Sequence, residues 1–173
     1  MQYWLMKSEP HVYSIEDLAR DGKSGWEGVR NYQARNTMRD LMQVGDLVLF
    51  YHSSTEPPGV AGLARISKTG LPDPSQFDTQ SDYYDAKSTP DNPRWIMVEI
   101  EYLETFPKYL SLAELKKLPE LVGMVLLQRG SRLSVQPLSP EHFKLICKKA
   151  GRSAKPSKKI QETSPAKKRS LSK

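Results

Sequence analysis

Three segments of the chain gather side chains able to hold a planar ligand. The first is Gly25-Trp26-Glu27-Gly28-Val29-Arg30-Asn31-Tyr32-Gln33-Ala34-Arg35-Asn36, with a Trp beside two glycines, then two arginines, two asparagines and a Tyr. Asn31 has the chemistry of a helix cap, and a helix start exposes N–H groups that can bind a phosphate or a carbonyl edge. The second is Phe50-Tyr51-His52-Ser53-Ser54, at the end of an apolar run. The third runs from Ser81-Asp82-Tyr83-Tyr84-Asp85 through Lys87-Ser88 to Pro93-Arg94-Trp95. Each has a plain structural explanation. Trp26 and Trp95 suit a core, Tyr83 and Tyr84 suit loop packing, and the arginines suit surface pairs of small worth. Together they supply ring faces, amide edges and hydroxyls, which is what reading an unstacked nucleobase requires.

The chemistry of catalysis is thinly represented. There is no Gly-x-x-x-x-Gly-Lys-Ser/Thr phosphate loop, no Gly-x-Gly-x-x-Gly and no Gly-x-Ser-x-Gly elbow. His11, His52 and His142 are scattered, with no pair at metal-ligand spacing. His52 and Ser53 are neighbours, but adjacent residues of an extended segment point to opposite sides. Cys147 is the sole cysteine, which excludes a disulfide within the chain and a Cys-x-x-Cys clip. That usage fits a reducing compartment, cytosol or nucleus. No cofactor and no metal are expected.

Charge divides the 173 residues unevenly. From Lys148 to Lys173 there are ten Lys and Arg against one acid, Glu162, a charge of +9. The first 147 residues carry −3, so the net +6 belongs to the tail and not to the body. The tail has no aromatic residue and is rich in Lys, Ser, Pro and Ala. Such a stretch has too little apolar surface to offset the entropy of ordering, and disorder is expected from about residue 151. Lys155, Lys158, Lys159, Lys167, Lys168 and Arg169 are candidate phosphate contacts that displace counterions without reading sequence. The competing explanation is a merely solubilising tail. No apolar run reaches the ~20 residues of a spanning helix, and the start reads as no secretory leader.

The body of residues 1–147 supplies elements to position the three segments. Strands are expected at Tyr3–Met6, Asp46–Tyr51, Gly59–Ile66, Trp95–Leu103 and Arg132–Leu138. In the fourth, Ile96, Val98, Ile100 and Tyr102 share one face, with Glu99 and Glu101 on the other. Gly62 marks a bulge or a close backbone approach. Ser14-Ile15-Glu16-Asp17 and Ser111-Leu112-Ala113-Glu114 read as capping boxes, and Ser139-Pro140-Glu141 as a capped start with Pro at the first helical position. A longer helix is expected over Asn31–Met42, with Met38, Leu41 and Met42 as its apolar stripe. Helices and strands do not alternate strictly, which favours a small α+β domain around a partly closed, largely antiparallel sheet.

Several of these motifs, in order, resemble one family. They are Tyr3-Trp4-Leu5-Met6-Lys7-Ser8-Glu9-Pro10, Trp26 to Asn36, Gly45-Asp46, Phe50-Tyr51-His52-Ser53, Gly59-Val60-Ala61-Gly62, Tyr84-Asp85-x-Lys87-Ser88 and Arg132-Leu133-Ser134-Val135-Gln136-Pro137. The resemblance is to the EVE domain and covers residues 1–146. Ala86 departs from it, since many members carry Pro there. It implies a PUA-like small β-barrel, mostly antiparallel, of about five to six strands with peripheral helices. It also implies binding of nucleic acid, with modified cytosines in DNA as the target of related readers.

Carried onto this sequence, the resemblance makes Trp26 a stacking wall and has Val29, Arg30 and Asn31 line a pocket. Tyr32 and Phe50 serve as further lining or as supports, and Trp95 joins them. His52 and Ser53 meet the base edge or sugar, and Asp85 accepts from an exocyclic amine. Lys7, Ser8 and Arg35 meet phosphates or fix loops. An acidic body needs a local positive rim, for which Arg30, Arg35, Arg39 and Arg94 are candidates. The reading is a non-enzymatic reader of DNA, located in the cytoplasm of a bacterium or the nucleus of a eukaryote. Two other readings share the pocket: an RNA-binding module, and a small-molecule sensor or enzyme.

Overall fold

The computed structural model describes residues 1–152. The tail lysines and arginine from Lys155 to Arg169 lie outside the described residues. Six strands form one mixed sheet in the order β2-β5-β4-β3-β1-β6. They are β1 (Tyr3–Ser8), β2 (Lys23–Gly25), β3 (Leu47–His52), β4 (Gly59–Pro72), β5 (Ile96–Ser111) and β6 (Val135–Leu138). Four of the five pairings are antiparallel, and β1 runs parallel to β3. The barrel takes the form of an open sheet, because β2 pairs only with β5 and β6 only with β1.

The apolar runs of β1 and β3 follow from burial on both faces. Trp4, Met6, Val48 and Phe50 enter one core with Ile15, Leu18, Met38, Ile66 and Ile100. Leu5, Leu49 and Tyr51 enter the opposite core with Leu63, Phe106, Leu115, Phe143 and Ile146. A register slip of one residue would exchange the two sets. Asp46 helps to prevent it. Its buried carboxylate accepts from the Gln2 amide (2.8 Å), the Trp4 indole (3.0 Å) and the Gln43 amide (3.0 Å), tying the starts of β1 and β3 together.

The outer face of β5 is charged, as its alternation requires. Glu101 pairs with Arg65 and Lys23, and Glu99 with Lys68. Strands β4 and β5 pair with several register shifts, one of them at Gly62. A Cβ there would sit 2.5 Å from the Glu104 carbonyl and 2.7 Å from Ile15, so only glycine fits.

The caps form as the sequence predicts. Helices α1 (Ile15–Asp21) and α3 (Leu112–Lys116) begin with reciprocal capping boxes. Helix α4 (Pro140–Lys149) starts from the Ser139 cap. The helix expected over Asn31–Met42 is different. Helix α2 covers only Tyr32–Asn36 and widens into a π turn over Thr37–Leu41, where the Met42 amide bonds the Thr37 carbonyl. The wider turn keeps Met38 and Met42 in the core and leaves Leu41 about half exposed, off the stripe. Order continues beyond residue 147. The Arg152 amide bonds the Cys147 carbonyl and its guanidinium pairs with Glu104 at 2.8 Å. Burial pushes the Cys147 thiol up to about 11, which keeps it protonated and unreactive. No described helix is long and apolar enough to cross a membrane.

His52 closes β3 and serves α1. Its Nε2 accepts from the Ile15 amide at 3.1 Å, so the ring is neutral in the fold. Burial holds its pKa below the ordinary value, against a smaller upward pull from Glu16. Above pH ~6.5 neither the folded nor the unfolded chain protonates this ring, and it adds no pH dependence. Below that, the unfolded chain binds the proton first, so folding stability falls. Urea unfolding between pH 7.5 and 5.5 should show a declining midpoint that flattens in His52→Gln. An equally steep decline in the variant would remove His52 as its source.

Candidate nucleic-acid interface

An open cavity of about 820 Å3 lies where three chain segments meet, with Ser134 of a fourth joining them from just before β6. The end of β1 and the turn after it bring Lys7, Ser8, Glu9, Val12 and Tyr13. The segment Ser24–Asn31 follows, and the loop after β4 brings Ser75, Asp78, Ser81 and Tyr83. Strand β2 exists to aim this site. It is only three residues long, yet it pairs with β5, and the Trp26 amide then bonds the Val98 carbonyl at 2.8 Å. The Trp26 ring meets Phe50 edge-on at 5.6 Å, which fixes its plane.

Behind the cavity a buried carboxylate organises the loops. Asp73 accepts from the Gly28 amide (2.8 Å), from Arg30 Nη1 (2.9 Å), and from both the amide and hydroxyl of Ser75 (2.9 and 2.5 Å). Burial alone would raise its pKa, but the hydrogen bonds from Ser75, Arg30 and Gly28 outweigh it and hold the carboxyl below its ordinary value. Gly28 is required twice over. Its φ is +77°, and a Cβ would sit 2.8 Å from the Tyr83 ring.

Arg30 is consumed by the fold. Its Nε and Nη2 donate to the Tyr83 carbonyl, Nη1 to the Val29 carbonyl and Asp73, and Nη2 also to Ser75. The guanidinium lies between the rings of Tyr83 (5.4 Å) and Trp95 (5.0 Å). The column continues outward: Trp95 stacks on Tyr32 at 4.9 Å, and Arg35 lies 4.8 Å over Tyr32. The order along it is ring, cation, two stacked rings, cation. Asp85 accepts from the Trp95 indole at 2.8 Å and pairs with Arg94, which also donates to the Tyr32 hydroxyl. The Trp95 bond leads the causes that hold Asp85 below its ordinary pKa.

The predicted residues therefore divide. Trp26, Val29, Arg30, Asn31, Lys7 and Ser8 line the cavity. Asn31 caps α2 through its Oδ1, which accepts from the Ala34 amide. Tyr32, Trp95, Asp85 and Arg94 form the wall behind it, and Phe50 supports Trp26 from the core. His52 faces α1 instead of the cavity, and the Ser53 amide bonds the Ser8 carbonyl. Arg35 is held by Asn36 and the Arg94 carbonyl, and Arg39 pairs with its neighbour Asp40. Of the expected positive rim, Arg30, Arg39 and Arg94 are thus paired with carboxylates, whereas Arg35 meets only neutral acceptors.

Glu27, Tyr13, Tyr83, Asp73 and Gln76 belong to the site without having been singled out by role. Asp73-Pro74-Ser75 carries a readable signal, an Asx-type cap before Pro, and it does cap the short turn Pro74–Gln76. Glu27 and Lys7 face the cavity with no ion-pair partner among the described residues. Burial, then the charge of Asp73, pushes the Glu27 carboxyl up, and burial pulls the Lys7 ammonium down.

The family model described as EVE domain matches residues 2–149. The chain belongs to the EVE family. It is 42% identical over 163 residues to thymocyte nuclear protein 1 of Homo sapiens, covering 83% of this chain and 72% of that protein. Among solved structures, a Pseudomonas putida protein superposes with a TM-score of 0.82 at 51% identity, over 86% of this chain and 99% of the other. The human THYN1 protein, solved in complex with 5-methylcytosine containing DNA, superposes with a TM-score of 0.81 at 40% identity, over 88% and 99%.

In this EVE domain Asp73 holds both sides of the wall, so its loss strands the Arg30 charge and two amides. Asp73→Ala should cost about 3 kcal/mol in urea unfolding, in the range for breaking a buried pair from one side. A loss under about 1 kcal/mol would show that the loops hold together without it.

Proposed function

We propose that the domain is a non-enzymatic reader of DNA that takes a flipped, modified cytosine into this cavity. The observation that carries the reading is the cavity itself: a pre-formed recess, within the usual volume range of ligand sites, flanked by Trp26, Tyr13 and Tyr83 and by polar groups at its wall. The similarity to a human protein solved with 5-methylcytosine containing DNA supports the choice of ligand. His52 and Ser53, the residues that suggested an enzyme, are tied into the fold and away from the recess.

Affinity and selectivity come from different parts. The body is acidic, Arg30, Arg39 and Arg94 pair with carboxylates within it, and Arg35 is held by Asn36 and the Arg94 carbonyl. Phosphate contacts therefore fall to the +9 tail, which anchors the chain without sequence preference. Stacking on the Trp26 wall is worth about 1–3 kcal/mol and holds the flipped base in the recess, where the polar groups of the wall can meet its edge. Tethering by the tail raises the effective concentration of the weak pocket.

Fluorescence anisotropy with duplexes carrying one 5-methylcytosine or one cytosine tests both parts. The wild type should prefer the modified duplex. Trp26→Leu, which keeps an apolar side chain but removes the ring face, should bind both equally. Removing residues 153–173 should lower affinity and flatten its salt dependence while the preference survives. Equal binding of the two duplexes by the wild type would refute the reading, and tighter binding of a matched RNA would favour an RNA module.

A further inference from the structure

Two charged groups on the cavity wall are left over by the fold, and one suits a cytosine edge. Around the recess, Asp73 and Arg30 are committed to each other. Glu9 binds His11 and the Ser54 hydroxyl, and Asp78 accepts from the Gln80 amide. Asp85, which the sequence offered as acceptor for an exocyclic amine, is occupied by the Trp95 indole and Arg94. Glu27 has neither a hydrogen bond nor an ion pair among the described residues, although it lines the cavity. Its carboxylate folds back along β2: Oε1 lies 3.6 Å from where a Gly25 Cβ would stand, next in the chain to the Trp26 wall.

We propose that Glu27 is the acceptor that reads the exocyclic amine of a cytosine lodged against Trp26, and so selects cytosine over thymine. This rests on the base-reader function proposed above. 5-Methylcytosine and thymine carry the same C5 methyl group and differ at position 4, where cytosine presents an amine donor and thymine a carbonyl acceptor. An ionised carboxylate only accepts. It hydrogen-bonds the amine and repels the carbonyl, a form of discrimination that stacking cannot supply. Lys7, the other uncommitted group, carries donors only and suits the pyrimidine O2 or a phosphate oxygen.

The test compares duplexes with 5-methylcytosine or thymine opposite an abasic site, so that no base pair is broken in either. The wild type should favour 5-methylcytosine by about tenfold, as one well-made edge contact implies. In Glu27→Gln, whose amide both donates and accepts, the ratio should fall to within about twofold; Glu27→Ala should behave likewise. Both substitutions are at an exposed side chain, and thermal melting checks that they fold. A variant that keeps the wild-type ratio, while Trp26→Leu loses affinity for both bases, would overturn the Glu27 assignment and leave the reader intact. A wild type that binds 5-methylcytosine, thymine and a second abasic site equally would overturn both.

Discussion

The buried carboxylate of Asp73 is the constraint on which the candidate site depends. It is 2% exposed and must be satisfied inside the protein, because an unpaired buried charge costs several kcal/mol. Satisfying it draws in the Gly28 amide, the Arg30 guanidinium and Ser75. Gln76 extends the same knot. Its amide donates to the Asp73 and Trp95 carbonyls, and its carbonyl accepts from Ser88, Arg94 and Trp95. The segments before α2, after β4 and before β5 are thereby joined, and none can move without exposing a polar group to an apolar surrounding. The ring-and-guanidinium column follows, since Arg30 is held within 5.4 Å of the Tyr83 ring and 5.0 Å of the Trp95 ring.

The same pairing explains the electrostatics. Arginines that looked like a phosphate-binding rim are spent on carboxylates, carbonyls and rings within the wall. What remains toward the recess is small and specific: one carboxyl and one ammonium, both pushed toward neutrality by burial. In the proposed reader, recognition through ring faces and edge contacts is separate from long-range attraction, for which the charge of the tail is the proposed source.

Much of the scaffold was legible because its signals are local. Serine caps three residues before an acid, a Pro at the first turn of α4 and the alternation along β5 each act within a turn or a strand. Strand β2 was not legible, because three residues carry no period and Lys23–Gly25 become a strand only by pairing with β5. The shortening of α2 was hidden for a related reason. The π turn is set by which of Met38, Leu41 and Met42 the core admits, and the sequence shows three apolar residues without ranking them.

By itself, then, the sequence determined the family, every strand but β2, the caps of the helices, the split between acidic body and basic tail, and the segment from Trp26 to Asn31 as cavity wall. The charge split follows from composition and the elements from spacing within single segments, whereas the family and the cavity wall follow from the resemblance carried by the ordered motifs. Only the tertiary structure decided which polar side chains remain free for a ligand. His52 was withdrawn to cap α1, Asp85 to hold Trp95, and Arg30 to answer Asp73 across 43 residues. Glu27 was left open. The physical reason is that a side chain's availability depends on the partners the fold brings within about 3 Å, and those partners are distant in the chain.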